Sequence, residues 1–207
     1  MDVEIVRHSL IAERLSVLRD VSTSNEIFRK SLHDISLLLI YEALRELPME
    51  DKEIYTPLAP TTGHYIANSP LLVPVVRAGL GMLSAAMKLL PQSSIGFLGA
   101  RRDEETFQPE IYLDTIPAEL HGESVIILDP MLATGGSLLH VLEIVAGRNV
   151  GEITVVCVLA APEGIERIST SSHSGKLFVG AVDEKLNESA YILPGLGDAG
   201  DRQFGTM

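Results

Sequence analysis

The chain is short of several things, and each shortage removes a class of function. It has one cysteine, Cys157, and no tryptophan in 207 residues. One thiol allows no intramolecular disulfide and no multi-cysteine zinc site, which suits a reducing compartment, so a cytoplasmic location is expected. The apolar setting of Cys157, between Val156 and Val158, makes it a buried strand thiol. Cations are also scarce: 16 Lys and Arg stand against 28 Asp and Glu, a net charge of -12. Nucleic acids and anionic membranes draw affinity from Lys and Arg, so neither is an expected partner. Any anionic substrate would need locally placed arginines. No apolar run approaches the roughly 20 residues that span a bilayer. The acidic start Met1-Asp2-Val3-Glu4 does not read as a secretory signal. No internal repeat or low-complexity tract is visible.

What remains is a globular composition, 46% hydrophobic and 21% charged, at a length that one α/β domain can fill. The expected organisation is a single domain over 1–207, with a helical N-terminal segment of about 1–48, a core of about 70–183 and a tail of about 187–207. Phe28, Leu32, Ile35, Leu39 and Leu47 fall near helical spacing and predict a helix over 25–47, with Thr23-Ser24-Asn25-Glu26 as a capping box and Pro48 as its stop. From residue 71 the pattern changes to short continuous apolar runs: Leu71–Val76, Ile95–Leu98, Ser124–Leu128, Ile153–Leu159 and Leu177–Val182. Runs of that kind mark strands buried on both faces of a parallel sheet. Leu80–Leu90 and Ser137–Ala146 read as crossover helices. The fold class is therefore α/β, a doubly wound and mainly parallel sheet that binds its ligand beyond the carboxyl ends of its strands. Arg102 to Pro117 is polar and irregular, a flap hairpin between two strands. The Gly-rich tail carries apolar anchors in Tyr191-Ile192-Leu193 that would pack it over the sheet.

The strongest chemical signal is the run from Val125 through Asp129 to Ser137, a buried strand leading into a small-residue loop and a helix. Its loop reads Asp129-Pro130-Met131-Leu132-Ala133-Thr134-Gly135-Gly136-Ser137. Glycines let backbone N–H groups approach phosphate oxygens, Thr134 and Ser137 add hydroxyls, and a helix N-terminus favours negative charge. Asp129, ending the strand, could accept hydrogen bonds from sugar hydroxyls. An ordinary strand-to-helix turn with Ser137 as N-cap is the alternative. It is neither a Walker loop nor a dinucleotide fingerprint. Arg77, after Val75-Val76 and before Ala78-Gly79, could pair its guanidinium with a polyphosphate at the sheet edge or be a solvated surface residue. Arg102 could serve the same anion or pair with Asp103, Glu104 and Glu105. His33 and His140 fall in predicted helices and His64, His121 and His173 in turns, with no zinc spacing, and no protein metal site is expected. Met82 and Met87 read as core packing.

An acid ending a strand before Ala-Thr-Gly-Gly-Ser resembles the phosphoribosyl pyrophosphate (PRPP) loop of type I phosphoribosyltransferases. Its single-acid form, Asp129-Pro130-Met131-Leu132-Ala133-Thr134-Gly135-Gly136-Ser137, resembles the uracil phosphoribosyltransferases. Three more segments agree: Val73 to Met82, Arg102 to Thr106, and Pro194-Gly195-Leu196-Gly197-Asp198-Ala199-Gly200-Asp201-Arg202. The resemblance covers the chain from about residue 5 onward. It implies transfer of the phosphoribosyl group of PRPP to uracil N1, giving UMP and pyrophosphate. It makes Arg77, Arg102, Asp129–Ser137 and Asp198 PRPP ligands, with Asp129, Arg102 and Asp198 at the reacting centre. It gives uracil to Ile192, Gly197, Asp198 and Ala199, whose flexible backbone could read a planar neutral base. Mg²⁺ would arrive bound to PRPP. A homodimer or dimer of dimers is implied, and some members respond to GTP, for which this sequence shows no pocket. Arg101 and Thr115 stand where many members carry Tyr and Lys. Open beside this reading are a transferase for another base, a weakened homologue, and a pyrimidine-responsive regulator on the same fold.

Overall fold

The computed structural model of the protein describes residues 1–102 and 109–206, and for residues 101, 102, 109 and 110 the backbone alone. Asp103-Glu104-Glu105-Thr106, the tip of the expected flap, lies outside the described residues. In chain order the elements are β1 (Asp2–Ile5), α1 (Ser9–Arg19), α2 (Asn25–Ala43), β2 (Met49–Tyr55), β3 (Pro60–Ile66), β4 (Leu71–Val76), α3 (Leu80–Leu89), β5 (Leu98–Arg102) and β6 (Pro109–Asp114). They continue with β7 (Val125–Leu128), β8 (Met131–Leu132), α4 (Gly136–Ala146), β9 (Ile153–Ala160), α5 (Pro162–Ser169), β10 (Lys176–Val182), β11 (Lys185–Leu186), β12 (Ile192–Leu193) and α6 (Ala199–Phe204).

The apolar runs form the middle of one sheet in the order β1-β10-β9-β7-β4-β5-β6, with β8 added beside β9. All its pairings are parallel except β5 with β6. Successive residues of a strand face opposite ways, so a sheet covered on both sides needs apolar residues at every position. Leu71, Val73 and Val75 of β4 pack on one side with Leu138, Val141 and Val145 of α4. Leu72 packs on the other with Phe28, Leu32, Ile35 and Leu39 of α2 and Met82 of α3. Cys157 is fully buried in β9, as its setting required.

This order locates the functional edge. From β4 the chain winds outward through α3 to β5, whereas β7, next to β4 on its other side, winds the opposite way through α4 to β9. The strand order reverses between β4 and β7. A crevice opens beyond the carboxyl ends of two strands whose following helices leave toward opposite faces.

Several local expectations are corrected. The N-terminal segment is not wholly helical, because β1 adds a parallel edge strand through Asp2↔Lys176 to Ile5↔Val179. α2 ends at Ala43 rather than 47; Leu47 still packs on the core but from the turn beyond the helix. Its N-cap is Ser24, whose Oγ accepts from Ile27 N at 3.4 Å. Thr23, first residue of the expected capping box, instead donates its hydroxyl to Val17 O at 2.7 Å. The run Ile95–Leu98 enters β5 only at its end, Ile95 making an isolated bridge to Leu72. His64 lies in β3, not in a turn, and Met87 is 45% exposed rather than core. The flap expectation holds for its flanks: β5 and β6 pair antiparallel from Leu98↔Asp114 to Arg102↔Pro109.

Candidate active site

Two adjoining cavities occupy the crevice. The first, about 300 Å³, is lined by Arg77 and Ala78 after β4, by Asp129 and Met131–Leu138 after β7, and by Asp198 and Gly200 of the tail. The second, about 450 Å³, lies between the loop residues Met131 and Ala133 and the tail residues Ser189–Ile192 and Gly197–Gly200. Ala78, Met131, Ala133, Asp198 and Gly200 belong to both walls. Of the expected PRPP ligands, Arg77, Asp129, Met131–Ser137 and Asp198 therefore come together in one cleft. Of the expected uracil ligands, Ile192, Gly197, Asp198 and Ala199 come together in the other. The Arg102 side chain lies outside the described residues. Pro130 does not line the cleft: it is buried, and its carbonyl accepts from Val158 N at 3.1 Å and Leu159 N at 3.0 Å, fastening the loop to β9.

The loop's conformation follows from its glycines. Gly135 has φ of +74°, a left-handed backbone that side-chain-bearing residues rarely adopt, and it starts α4 with no side-chain cap. Ser137 is thus inside the helix and not its N-cap. Among the described residues only Gly136 N of the first-turn amides finds a side-chain acceptor nearby, Thr134 Oγ1 at a long 3.4 Å. Uncapped first-turn donors beside two hydroxyls are chemically able to receive an anion.

Asp129 sits half-buried at the end of β7. Loss of water raises its carboxyl from the usual 3.8 to about 7, against a weak opposing hydrogen bond from Met131 N. Burial also raises the neighbouring Cys157 thiol, and the Asp129 charge adds to the effect. Among the described residues Asp129 has no cationic partner, which suits a group that awaits hydroxyl donors.

The tail is anchored rather than loose. Arg19 reaches Asp183 with both terminal nitrogens, at 2.8 and 2.5 Å, and donates to Gly195 O at 2.8 Å, while Asp183 accepts from Gly195 N at 2.8 Å. Arg202 stacks 4.6 Å from the Phe28 ring and donates to the carbonyls of Leu18, Leu196 and Asp20. Of the apolar anchors expected from the sequence only Ile192 enters the core, where Leu196 and Ala199 join it, whereas Tyr191 and Leu193 stay exposed. Asp198 caps α6, accepting from Asp201 N at 2.8 Å. Gly195 and Gly197 have φ of +67° and +79°, and this backbone turns the Gly197–Ala199 segment against the second cavity.

Three features were not legible in the sequence. Ser189, Ala190 and Tyr191 complete the second cavity, held by Asn187 Oδ1, which accepts from Ser189 N and Tyr191 N at 3.0 and 2.9 Å. Asp201 accepts from Arg77 Nη2 at 3.1 Å and from Thr206 Oγ1 at 2.6 Å. Gln203, fully buried, donates from Nε2 to Ala78 O and Ala199 O at 3.0 and 2.7 Å. Asp201 and Gln203 therefore tie the tail directly to the Arg77–Ala78 turn. The Asn-Glu-Ser turn was the one available signal. Among the described residues no group of three or more His, Cys, Asp or Glu is placed to hold a metal ion, and no helix is long and apolar enough to cross a membrane.

The comparisons agree with this geometry. Residues 5–206 match the family model described as uracil phosphoribosyltransferase. Proteins named uracil phosphoribosyltransferase from Corynebacterium diphtheriae and Corynebacterium efficiens are 45% and 44% identical over 205 residues, 99% of this chain and 97% of each relative. The solved structure of the AQ2163 protein from Aquifex aeolicus superposes with a TM-score of 0.93 at 40% identity, over 99% of this chain and 98% of that one. A hypoxanthine phosphoribosyltransferase from Staphylococcus aureus (17% identical, TM-score 0.54, 83% of this chain and 81% of that one) shares the fold. With the cleft at the switch point, the single-acid loop and a match along nearly its whole length, the chain belongs to the uracil phosphoribosyltransferase family.

Proposed function

We propose that the first cavity holds PRPP and the second holds uracil, and that the two react across Asp198. As a member of its family the chain is a pentosyltransferase: it moves the 5-phosphoribosyl group of PRPP to uracil N1, forming UMP and releasing pyrophosphate. The observation that carries the assignment of substrates to cavities is their shared wall. An anion cleft with uncapped amides and a cavity walled largely by small residues meet at Ala78, Met131, Ala133, Asp198 and Gly200. A transferase needs that adjacency, because holding two reactants in contact removes much of the entropic barrier.

In this reading the Ala133–Ser137 loop takes the 5′-phosphate, Asp129 accepts from ribose hydroxyls, and Arg77 with Arg102 neutralises the departing pyrophosphate. Backbone groups of Gly197–Ala199, with Ile192 on one side, read the edge of uracil, and the Asp198 carboxylate faces the sugar. Mg²⁺ suits the chemistry as a hard cation that prefers phosphate oxygens; carried on PRPP, it supplies charge neutralisation of the leaving group. The acidic surface and the base-sized cavity give no support to a regulator that binds RNA. Incubating the protein with PRPP, Mg²⁺ and each of uracil, cytosine, orotate, hypoxanthine and adenine is the test. Product from uracil alone is expected, and preference for another base would overturn the assignment.

We extend the proposal to a homo-oligomer, dimer or dimer of dimers, acting in the cytoplasm. The antiparallel hairpin of β2 and β3 supports it, because it leaves Met49, Tyr55, Leu58 and Tyr65 exposed on an arm outside the main sheet. Light scattering of the eluting protein decides the stoichiometry, and assays with and without GTP decide whether that nucleotide is an effector.

A further inference from the structure

The Ala133–Ser137 loop offers a phosphate backbone amides, two hydroxyls and a helix N-terminus, but no cationic side chain of its own. Among the described residues a cation stands just outside it, on the neighbouring helix. Helix α5 abuts the loop so closely that a Cβ on Gly164 would lie 2.4 Å from Ala133 O, and this contact sets the helix position. One turn further along α5, Arg167 passes over the loop glycines. A Cβ on Gly135 would lie 3.5 Å from both Cβ and Cδ of Arg167. A Cβ on Gly136 would lie 3.4 Å from Arg167 Nη1 and 3.6 Å from Thr134 Oγ1. The arginine stem thus covers Gly135, while its guanidinium and the Thr134 hydroxyl flank the same face of Gly136. Arg167 is otherwise exposed to solvent.

We infer that Arg167 supplies the missing positive charge to the 5′-phosphate, of PRPP and of UMP alike. The inference rests on the placement of that phosphate in the loop. Arg167 is a supplementary phosphate contact: it acts on the end of the substrate remote from the bond that breaks, so it lowers ground-state and transition-state energies together and appears in KM rather than kcat. Its exposure limits the size of the effect, for a solvated ion pair is weak and screened by salt.

Calorimetric titration of the full chain with ribose 5-phosphate and, separately, with pyrophosphate tests this. Arg167→Met keeps the stem over Gly135 and removes the charge; Arg167→Lys keeps a charge. The Met variant should bind ribose 5-phosphate about three- to tenfold more weakly at low salt, with the deficit shrinking toward about 0.5 M salt, and should bind pyrophosphate as the parent does. The Lys variant should retain most of the affinity. Equal loss in both variants would make Arg167 a packing brace, and parental affinity in Arg167→Met would remove it from the site; either result overturns the inference. Thr134→Val separates this failure from failure of the loop assignment. If it weakens ribose 5-phosphate binding while Arg167→Met does not, the loop stands and the inference falls. If neither weakens binding, both fall.

Discussion

Replacing Asp129 by Asn should make the free protein more stable at neutral pH and a much poorer binder of PRPP. In the folded chain the Asp129 carboxyl titrates near 7, against an ordinary value of 3.8, because the cleft withholds water from it. Below about pH 4 the carboxyl is protonated in both folded and unfolded chains and makes no difference. As pH rises from there toward 7 the unfolded chain gives up its proton while the folded chain keeps it, so the stability present at low pH is progressively lost. At 1.36 kcal/mol per tenfold, the full cost above pH 7 is at most about 4 kcal/mol. The replacement amide carries no such charge, and the stability of the variant should lack this component of pH dependence. Urea denaturation at pH 5, 6, 7 and 8 should show the two proteins diverging, with Asp129→Asn ahead at pH 8. The same substitution removes a charge-assisted acceptor from the ribose and should weaken PRPP by roughly ten- to a hundredfold, about 1.5–3 kcal/mol. Parallel stability profiles would refute the raised carboxyl, and unchanged PRPP affinity would refute its role at the sugar.

Other perturbations separate the two cavities. Arg77→Ala and Arg102→Ala should each weaken PRPP by roughly tenfold or more with little effect on uracil, read by direct titration. Gly197→Ala strains a residue at φ +79° and Ala199→Val adds bulk at a buried wall; both should raise KM for uracil more than for PRPP in initial-rate assays. Asp183→Asn breaks the bidentate pair with Arg19 that fixes Gly195, and should loosen uracil binding while leaving ribose 5-phosphate binding intact. Deleting 196–207 removes buried Leu196, Ala199 and Gln203 and the ties to the Arg77–Ala78 turn. It should therefore lower the unfolding temperature by several degrees and weaken PRPP as well as abolish uracil transfer.

How far the sequence could be read depended on where each interaction lay along the chain. β4, β7, β9 and β10 were legible because burial on both faces leaves an unbroken apolar run. The loop Asp129–Ser137 was legible because strand, glycines and helix are consecutive. β1 was not: as a four-residue edge strand it buries no residue fully and reads as Asp-Val-Glu-Ile. The β2–β3 hairpin escaped notice because its strands face solvent, with Asp51, Lys52 and Glu53 in mid-strand and a turn lacking Asn-Gly. The tail's fastening was invisible for another reason. Arg19 and Asp183 are 164 residues apart, and Arg202 donates to Leu18 across 184 residues. Gln203 reads as an ordinary polar helix residue until the fold places Ala78 O beside it. Arg167 likewise comes beside the Ala133–Ser137 loop only because Gly164 lets α5 close on Ala133.

The central claim is that the two cavities join uracil to the phosphoribosyl group of PRPP. Incubating the purified chain with uracil, PRPP and Mg²⁺ and following products by chromatography tests it directly. UMP and pyrophosphate appearing in equal amounts, with both strongly reduced in Asp129→Asn at subsaturating PRPP, is the expected result. Release of pyrophosphate without UMP, or UMP formation undiminished in Asp129→Asn, would contradict the account.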